Sequence, residues 1–269
     1  MSSIVQRSFR ILDELASHPR GRTLSELATA LDIPLSATHR LLSDLIQCGY
    51  VFKEERHGDF MLTMQVVSLG LRVLSAGGIV DVAQPILERL AASTGELVRL
   101  AVLDRDQLIY VAKAQGATQG IRYDPEMGRA VRLSCSAAGF VWLSTKTDEE
   151  ALRLLAKQGF EDPNEIGGAA PSTIKAVLAH IRATRRRGFG LTVDVFLPGM
   201  SSMATPVYGR NGEVRAVLII AGPMMRLTEE RMLSLGPTLL ATAEELGRAS
   251  GVSPMFKRKY EELRAQPSL

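Results

Sequence analysis

The sequence reads TLSELATALDIPLSATHRLLSDLIQCGY over residues 23–50, and this stretch decides the fold of the first part of the chain. Apolar residues recur at helical spacing, which predicts a short amphipathic helix over Leu24–Leu31 with Thr23 as its N-cap. Pro34 cannot continue this helix but suits the start of a second one, which Gly49 ends. The second helix is predicted to turn one stripe towards the core, formed by Thr38, Leu41, Leu42, Leu45 and Ile46.

Two short helices joined by a tight turn predict a helix-turn-helix, whose second helix fits a DNA major groove. The outward residues of that helix are short or cationic, which suits close approach to base edges and phosphates. Arg40 in particular can make a bidentate contact to guanine or clamp a phosphate. The alternative is a helical hairpin with a merely solvated outer face. The outward residues are Ser36, Ala37, His39, Arg40 and Ser43.

Residues 50–63 predict two short strands around a polar Gly58-Asp59 turn, so the helix pair continues into a hairpin, or wing. Lys53, Arg56 and His57 lie where a wing could touch the DNA backbone or the minor groove. Arg22, just before the first helix of the pair, could meet a phosphate. The expected DNA contacts are therefore Arg22, Thr23, Ser36, Ala37, His39, Arg40, Ser43, Lys53 and Arg56.

The composition describes a soluble globular protein of two domains, with 269 residues, 46% hydrophobic and 23% charged. No apolar run reaches the ~20 residues of a membrane span, and no signal-peptide core is present, so we expect a cytoplasmic protein. Cys48 and Cys135 are expected to be reduced thiols. The net charge of +3 permits nucleic-acid binding, but residues 1–63 carry seven Lys and Arg against eight Asp and Glu. DNA binding therefore depends on where the cations lie.

The rest of the chain predicts an α+β domain with one main antiparallel sheet flanked by helices. A linker helix over residues 64–76 leads to a break at Gly77-Gly78. Helices are predicted over residues 80–93, 136–143, 149–157, 172–187 and 228–250, with a short helix in the tail from Ser253. Strands are predicted over residues 97–103, 107–114, 121–123, 130–133, 191–196, 202–208 and 214–221.

The sequence offers little for an enzyme or a metal site. The four histidines are scattered, and no phosphate-binding loop, nucleophile elbow or zinc spacing occurs. Cys135 lies near a predicted helix start, where a thiolate would be stabilised, but no base can be assigned to it. We interpret it as a buried small residue, with a redox-sensing thiol or a nucleophile as alternatives. No cofactor is expected.

A ligand pocket is the more coherent interpretation of the same region. Residues 132–139, RLSCSAAG, lead from a strand into a helix through small side chains. Backbone N–H groups at such a helix start can bind a carboxylate, and small residues let a ligand come close.

The chain resembles the IclR family of bacterial transcription regulators. The resemblance is carried, in this order, by residues 7–12, 23–28, 33–34, 38–42, 45 and 49–51, and it continues to about Gly251. It implies a winged helix-turn-helix DNA-binding domain over residues 1–63, a linker helix over 64–78, a GAF/profilin-like effector-binding domain over 79–251 and a C-terminal tail over 252–269. It also implies a homodimer or tetramer on a palindromic operator, controlling a catabolic operon, as repressor or activator.

By the same resemblance, the effector pocket falls on Ala137, Ala138, Asp194, Ser202, Ile219 and Ala221. Adjoining residues complete the expected effector site, namely Ser134, Cys135 and Met203. Ser134 and Phe140 replace the usual histidine and lysine of the family. Ile219 and Ala221 replace the polar residues of members that bind very small oxoacids. An apolar wall favours a carboxylate with an aromatic or acyl body, because each buried CH₂ contributes ~0.8 kcal/mol.

Two other functions compete with a DNA-binding regulator. One is a small-molecule enzyme with an accessory helical domain, which would depend on Cys135 or Asp194. The other is a winged helix that recognises protein instead of DNA. Salt distinguishes the latter, because phosphate contacts make affinity fall steeply with ionic strength.

Overall fold

The structure is a computed structural model that describes residues 3–249 except 78, 126 and 210. The chain divides into two compact units, residues 1–74 and 75–269, here called the N-terminal and C-terminal units. The predicted tail helix lies outside the described residues, as does Ser250 at the end of the last predicted helix.

The N-terminal unit is a three-helix head with a wing. Its elements are α1 (Ile4–Ala16), α2 (Leu24–Leu31), α3 (Leu35–Gln47), β1 (Val51–Lys53), β2 (Phe60–Leu62) and the start of α4 (Met64–Gly77). Thr23 is the N-cap of α2, as predicted: its hydroxyl accepts the Glu26 N–H at 3.3 Å, and the Glu26 carboxylate accepts the Thr23 N–H at 2.8 Å. This capping box fixes where α2 begins.

One small core holds the three helices and the wing together. It is formed by Ile11, Leu15, Leu27, Leu31, Ile33, Leu41, Leu42, Leu45, Val51 and Phe60. Four residues of the predicted α3 stripe are buried, but Ile46 is 40% exposed and the prediction for it is wrong. Ile46 lies roughly 90° around the helix from the centre of the stripe, so it falls on the boundary of the buried face.

The C-terminal unit is built on a five-stranded antiparallel sheet with strand order β4-β3-β7-β6-β5. Its strands are β3 (Leu97–Asp104), β4 (Gln107–Gln115), β5 (Gly190–Val193), β6 (Met200–Tyr208) and β7 (Val214–Pro223). Its helices are α5 (Ile79–Thr94), α6 (Ala137–Ser144), α7 (Asp148–Gln158), α8 (Ile174–Arg187) and α9 (Glu229–Ala249), with a 3₁₀ turn at Pro163–Glu165. The predicted α+β class, with one antiparallel sheet flanked by helices, is confirmed.

Two hydrophobic cores lie on opposite faces of this sheet because side chains alternate along each strand. On β7, Val217, Ile219 and Ala221 belong to the core that includes α6, α7 and α8, which we call the first core. Leu218 and Ile220 belong to the core that includes α5 and α9, the second core.

Two predicted strands, at residues 121–123 and 130–133, are wrong. Residues 121–123 form no strand, and Ala130 makes only an isolated bridge to Ile109. The connection does bond to β4, through Gly128 N–H to Tyr110 O and Val131 N–H to Leu108 O, but irregularly. Gly128 has φ +80°, which turns the backbone and breaks the ladder.

Candidate DNA-binding face and effector site

The outer face of α3 is open in the N-terminal unit. Ser36, His39, Arg40 and Ser43 are exposed, whereas Ala37 is half-buried and packs against the unit's core. Thr38, on the opposite side, is fully buried, and its hydroxyl donates to Pro34 O at 3.2 Å. Four of the five predicted residues therefore form one continuous face with hydroxyl, imidazole and guanidinium groups. Ala37 lies at its inner edge.

The wing has an ordered tip that projects cations into solvent. The Glu54 carboxylate accepts the backbone N–H groups of Arg56 at 3.0 Å and His57 at 2.7 Å, and these bonds lower the pKa of Glu54. The side chains of Lys53, Arg56 and His57 are exposed. Lys53 also lies 5.6 Å from the centroid of the Phe60 ring, which keeps its stem close to the strand.

Arg22 and Thr23 are held within the N-terminal unit. Arg22 donates to His18 Nε2 at 2.7 Å and lies 3.4 Å from Glu14, and its backbone bridges to Phe60 at the base of the wing. The Thr23 hydroxyl and backbone are used in the α2 cap. Both residues thus support the position of α2 and the wing, and a direct DNA contact by either stays a prediction.

Most of the predicted effector residues of the C-terminal unit come together. Cys135, Ala137, Ala138, Ile219 and Ala221 are all buried members of the first core. Ser134, between Leu133 and Cys135, is also buried. These residues join the start of α6 to the face of β7.

The start of α6 is closely packed. Ser136 caps it: its hydroxyl accepts the Gly139 N–H at 3.0 Å and donates to Arg132 O at 2.5 Å. A Cβ on Gly139 would lie 2.6 Å from Arg132 O, so only glycine fits there. The helix start that was predicted to offer amides to a ligand is therefore partly capped by the chain itself.

Ser202 and Met203 point to opposite faces of the sheet. Ser202 pairs with Ala221 and shares a hydrogen bond of 2.9 Å with the Thr192 hydroxyl. Met203 is fully buried in the second core, against α5 and α9, on the face of the sheet opposite to Ile219 and Ala221. Strand alternation separates the two neighbours in this way, and a ligand contact by either stays a prediction.

Asp194 stabilises a turn at the end of β5. It takes φ +55° and accepts the Gly199 N–H at 2.8 Å through Oδ1. This turn ends β5 at Val193, whereas the predicted strand continued to Phe196. A ligand contact by Asp194 stays a prediction.

Cys135 is a buried thiol, as interpreted from the sequence. Burial, followed by the nearby Glu161 carboxylate, raises the pKa of its thiol to about 11. A raised pKa keeps the thiol protonated at physiological pH, which disfavours the alternative interpretation of Cys135 as a reactive thiolate.

Sequence reasoning missed a cation inside the C-terminal unit. Arg99 is only 3% exposed, and its guanidinium carbon lies 3.3 Å from the centroid of the Tyr110 ring. Nη2 lies 3.8 Å from Met127 Sδ, and burial lowers the pKa of Arg99. The signal available was a lone arginine in the apolar run LVRLAVL of residues 97–103.

A buried carboxylate at the start of β3 was also missed. Glu96 is 1% exposed and accepts two bonds from Arg226, at 3.0 and 2.9 Å, and one from Arg231 at 3.2 Å. Arg231 also donates to Thr94 O at 2.6 Å, and Arg226 to Ile121 O at 3.1 Å. This cluster ties α9 to β3 and to the connection after β4.

The described residues contain neither a cluster of metal-binding side chains nor a membrane-spanning helix. Among them, no group of three or more His, Cys, Asp or Glu side chains is arranged to hold a metal ion. None of the helices that the structure describes has the length and hydropathy needed to span a membrane.

Two known protein domains match this chain, one near its N-terminus and one over most of the remainder. The IclR helix-turn-helix domain matches residues 4–55, and the C-terminal domain of bacterial transcriptional regulator IclR matches residues 71–248. The acetate operon repressor of Salmonella typhimurium is 30% identical and covers 91% of this chain and 89% of its own length.

Solved structures share the fold. An IclR transcriptional regulator from Alicyclobacillus acidocaldarius aligns with a TM-score of 0.78 at 23% identity, covering 93% of this chain and 100% of that one. An IclR homologue from Microbacterium hydrocarbonoxydans, solved with 4-hydroxybenzoate, aligns with a TM-score of 0.73 at 20% identity, covering 92% and 100%. The chain belongs to the IclR family, whose members are DNA-binding transcription regulators and not enzymes.

Proposed function

We propose that this protein is a cytoplasmic repressor that binds a palindromic operator of a catabolic operon and senses a small carboxylate with an apolar body. The single observation that carries the DNA-binding part is the open face of α3 beside an ordered, cationic wing. On this proposal residues 1–63 form the DNA-binding domain, residues 64–78 form a linker helix, and residues 79–251 form the effector-binding domain.

Arg40, with Ser36, His39 and Ser43, enters the major groove and reads base edges. Lys53 and Arg56 on the wing contact the phosphate backbone or the minor groove. Because the N-terminal unit carries no excess of positive charge, these few exposed cations account for most of the electrostatic attraction.

A homodimer, alone or paired into a tetramer, presents two such faces. Support comes from apolar side chains left exposed on two helices of the N-terminal unit. On α1 these are Ile4, Val5 and Phe9, and on α4 they are Met64, Val67, Leu69, Leu71 and Val73. Apolar surface of this extent on a soluble protein marks an interaction site.

The effector is a carboxylate whose body lies against Ile219 and Ala221. Both are buried among aliphatic and aromatic neighbours of the first core, and neither offers a polar side chain. The homologue solved with 4-hydroxybenzoate supports the proposal, because it shows that this fold can hold an aromatic acid. A ligand that favours one conformational state of the protein shifts operator affinity by its differential affinity for the two states.

An electrophoretic mobility shift with the DNA upstream of the protein's own gene tests the proposal. Arg40→Ala should weaken binding by roughly ten- to a hundredfold, since a bidentate base contact contributes ~1–3 kcal/mol. Arg153→Ala is the matched control: this exposed arginine lies on α7 in the other unit and pairs with Asp106. If both variants hold the operator as tightly as the wild type, α3 does not read DNA.

The same assay separates the competing functions. Binding that weakens steeply between 50 and 200 mM salt indicates phosphate contacts, whereas a protein-recognising winged helix would give no salt-dependent DNA complex. Repeating the shift with aromatic and acyl acids tests the effector class: at least one acid should change operator affinity, and the absence of any effect would refute that class.

A further inference from the structure

The connection between α1 and α2 pairs with the outer side of the wing. The Arg22 N–H donates to Phe60 O at 3.1 Å, and the Phe60 N–H donates to Arg22 O at 2.8 Å. On its other side Phe60 lies directly across from Lys53 of β1. Arg22, Phe60 and Lys53 therefore form one row across the wing, which we call the wing row. Neighbouring members of such a row lie on strands about 4.8 Å apart.

Gly21 lets this connection lie close against β2. It has φ +87°, and a Cβ on it would lie 2.8 Å from Met61 Cγ and 3.0 Å from Phe60 O. Its N–H donates to His18 O at 2.9 Å, which closes a tight turn. The imidazole of His18 consequently lies beside the guanidinium of Arg22.

The hydrogen-bond partners of His18 assign its tautomer. Nδ1 lies 2.8 Å from Glu14 O on α1, and because a carbonyl only accepts, Nδ1 carries the proton. Nε2 lies 2.7 Å from Arg22 Nη2, and because a guanidinium only donates, Nε2 is the acceptor. His18 is therefore a neutral imidazole that joins α1 to Arg22. The Glu14 carboxylate adds an ion pair, at 3.4 Å from Arg22 Nη2 and 3.5 Å from Nδ1.

We propose that His18 is a positioning residue for DNA binding, whose Nε2 holds Arg22 and with it the wing row. The row joins the wing to α1, and α1, α3 and Phe60 share one core, so His18 helps to set the place of the wing cations beside α3. On this proposal Arg22 acts within the protein and not on a phosphate. The inference rests on the proposed wing contact, since it names what holds Lys53 and Arg56 in place.

Two substitutions separate the acceptor from the rest of the His18 side chain. An asparagine amide ends near the position of Nδ1, so His18→Asn can still donate to Glu14 O but leaves Arg22 without its acceptor. A glutamine amide reaches the position of Nε2, so His18→Gln can place its oxygen beside Arg22. Ser17→Ala is the matched control, because this exposed neighbour donates only to Asp13 O on α1, at 3.3 Å.

Mobility shifts with the full-length protein between about 50 and 200 mM salt give the readout. The probes are the DNA upstream of the protein's own gene and a random-sequence duplex, since phosphate contacts do not depend on sequence. His18→Asn should bind both at least about threefold more weakly and lower the slope of log affinity against log salt by about one unit, the share of one phosphate contact. His18→Gln and Ser17→Ala should stay within about twofold of the wild type.

Measuring His18→Asn in two backgrounds distinguishes positioning from a general loss of stability. In the Lys53→Ala/Arg56→Ala background the substitution should cost less than about twofold in affinity, because the cations that it displaces are absent. In the Arg40→Ala background it should keep its full cost. Circular dichroism checks that each variant is folded. If His18→Asn does not fold, Arg22→Met, which removes the donor instead of the acceptor, takes its place in both backgrounds.

Three results would overturn the positioning role: no loss in His18→Asn, an equal loss in His18→Gln, or the same loss in both backgrounds. Additive losses for Arg22→Met and the wing substitutions would indicate a phosphate contact by Arg22 and overturn it too. If Lys53→Ala/Arg56→Ala binds DNA as the wild type does, the proposed wing contact fails as well. Failure of the wild type to bind either duplex would remove the proposed function itself.

Discussion

At the scale of single residues, three arginines differ in exposure and in their contacts. Arg40 is exposed on α3, where its guanidinium can reach a base or a phosphate. Arg22 is engaged by His18 and Glu14 and supports the wing. Arg99 is buried against Tyr110 on the face of the sheet that carries Ile219 and Ala221. The same type of side chain therefore lies in three different environments.

His180, the single histidine of residues 75–269, should make the C-terminal unit sensitive to acid. It stacks on Phe140 at 4.6 Å, and burial, followed by Arg187, lowers its pKa below 6.5. The unfolded chain therefore binds a proton more readily than the folded one. The stability that His180 contributes is complete above pH 6.5 and is lost as pH falls through the lowered pKa.

Urea unfolding followed by Trp142 fluorescence from pH 5 to 8 measures this effect. His180→Phe keeps an aromatic ring for the stack and removes the titration, so its free energy of unfolding should fall less steeply below pH 6.5 than that of the wild type. His57→Asn, in the exposed wing, is the control and should leave the profile unchanged. Parallel profiles for His180→Phe and the wild type would contradict the prediction.

At the scale of elements, Glu96 should be a main electrostatic tie of the C-terminal unit. Its buried carboxylate accepts hydrogen bonds from Arg226, just before α9, and from Arg231 in the first turn of α9, and Arg226 also donates to Ile121 O in the connection after β4. Glu96→Ala should lower the free energy of unfolding by about 2–4 kcal/mol. We place the loss below that for a fully buried pair, because both arginines are about one-third exposed and can regain water.

A surface pair gives the matched control for this measurement. Arg89 on α5 and Glu245 on α9 lie 2.5 Å apart but are 62% and 51% exposed. Glu245→Ala should therefore change the free energy of unfolding by no more than about 1 kcal/mol. Equal losses for the two variants would show that burial does not set the strength of the Glu96 cluster.

The elements that the sequence predicted well are those whose ends carry local signals. Thr23 with Glu26, Pro34, and Ser136 mark helix starts through their own hydrogen bonds or fixed φ, and the corresponding helices begin where expected. The predictions of short strands at residues 121–123 and 130–133 are wrong. Residues with high β-propensity form a strand only where a neighbouring strand pairs regularly with them.

The candidate site was only partly predictable for a similar reason. Small residues in the sequence identified the start of α6, and the two-residue period of β6 places Met203 on the opposite face from Ser202 once the register of the strand is known. Arg99 and Glu96 acquire meaning only from partners 11 to 135 residues away, such as Tyr110 and Arg231. Pairings over such separations leave no local pattern in one sequence.

At the scale of the whole molecule, exposed apolar side chains on α1 and α4 should pair subunits. Phe9 on α1 is a large aromatic residue and is nevertheless 62% exposed. Val67 on α4 is 45% exposed. Burying a side chain of this size contributes about 1.5–3 kcal/mol, and a two-fold interface counts it twice. The same pairing would set two α3 helices about 34 Å apart, one helical turn of DNA.

Sedimentation equilibrium and the mobility shift together test this pairing. Phe9→Glu and Val67→Glu should each raise the subunit dissociation constant by at least about tenfold, because a charge replaces buried apolar surface on both subunits. Phe160→Glu is the control, since Phe160 is 44% exposed but lies in the C-terminal unit. Inserting five base pairs between operator half-sites should weaken binding by the wild type, because half a helical turn moves one half-site to the far side of the duplex. If the glutamate variants stay associated and the lengthened operator binds as before, the two heads do not act as a pair.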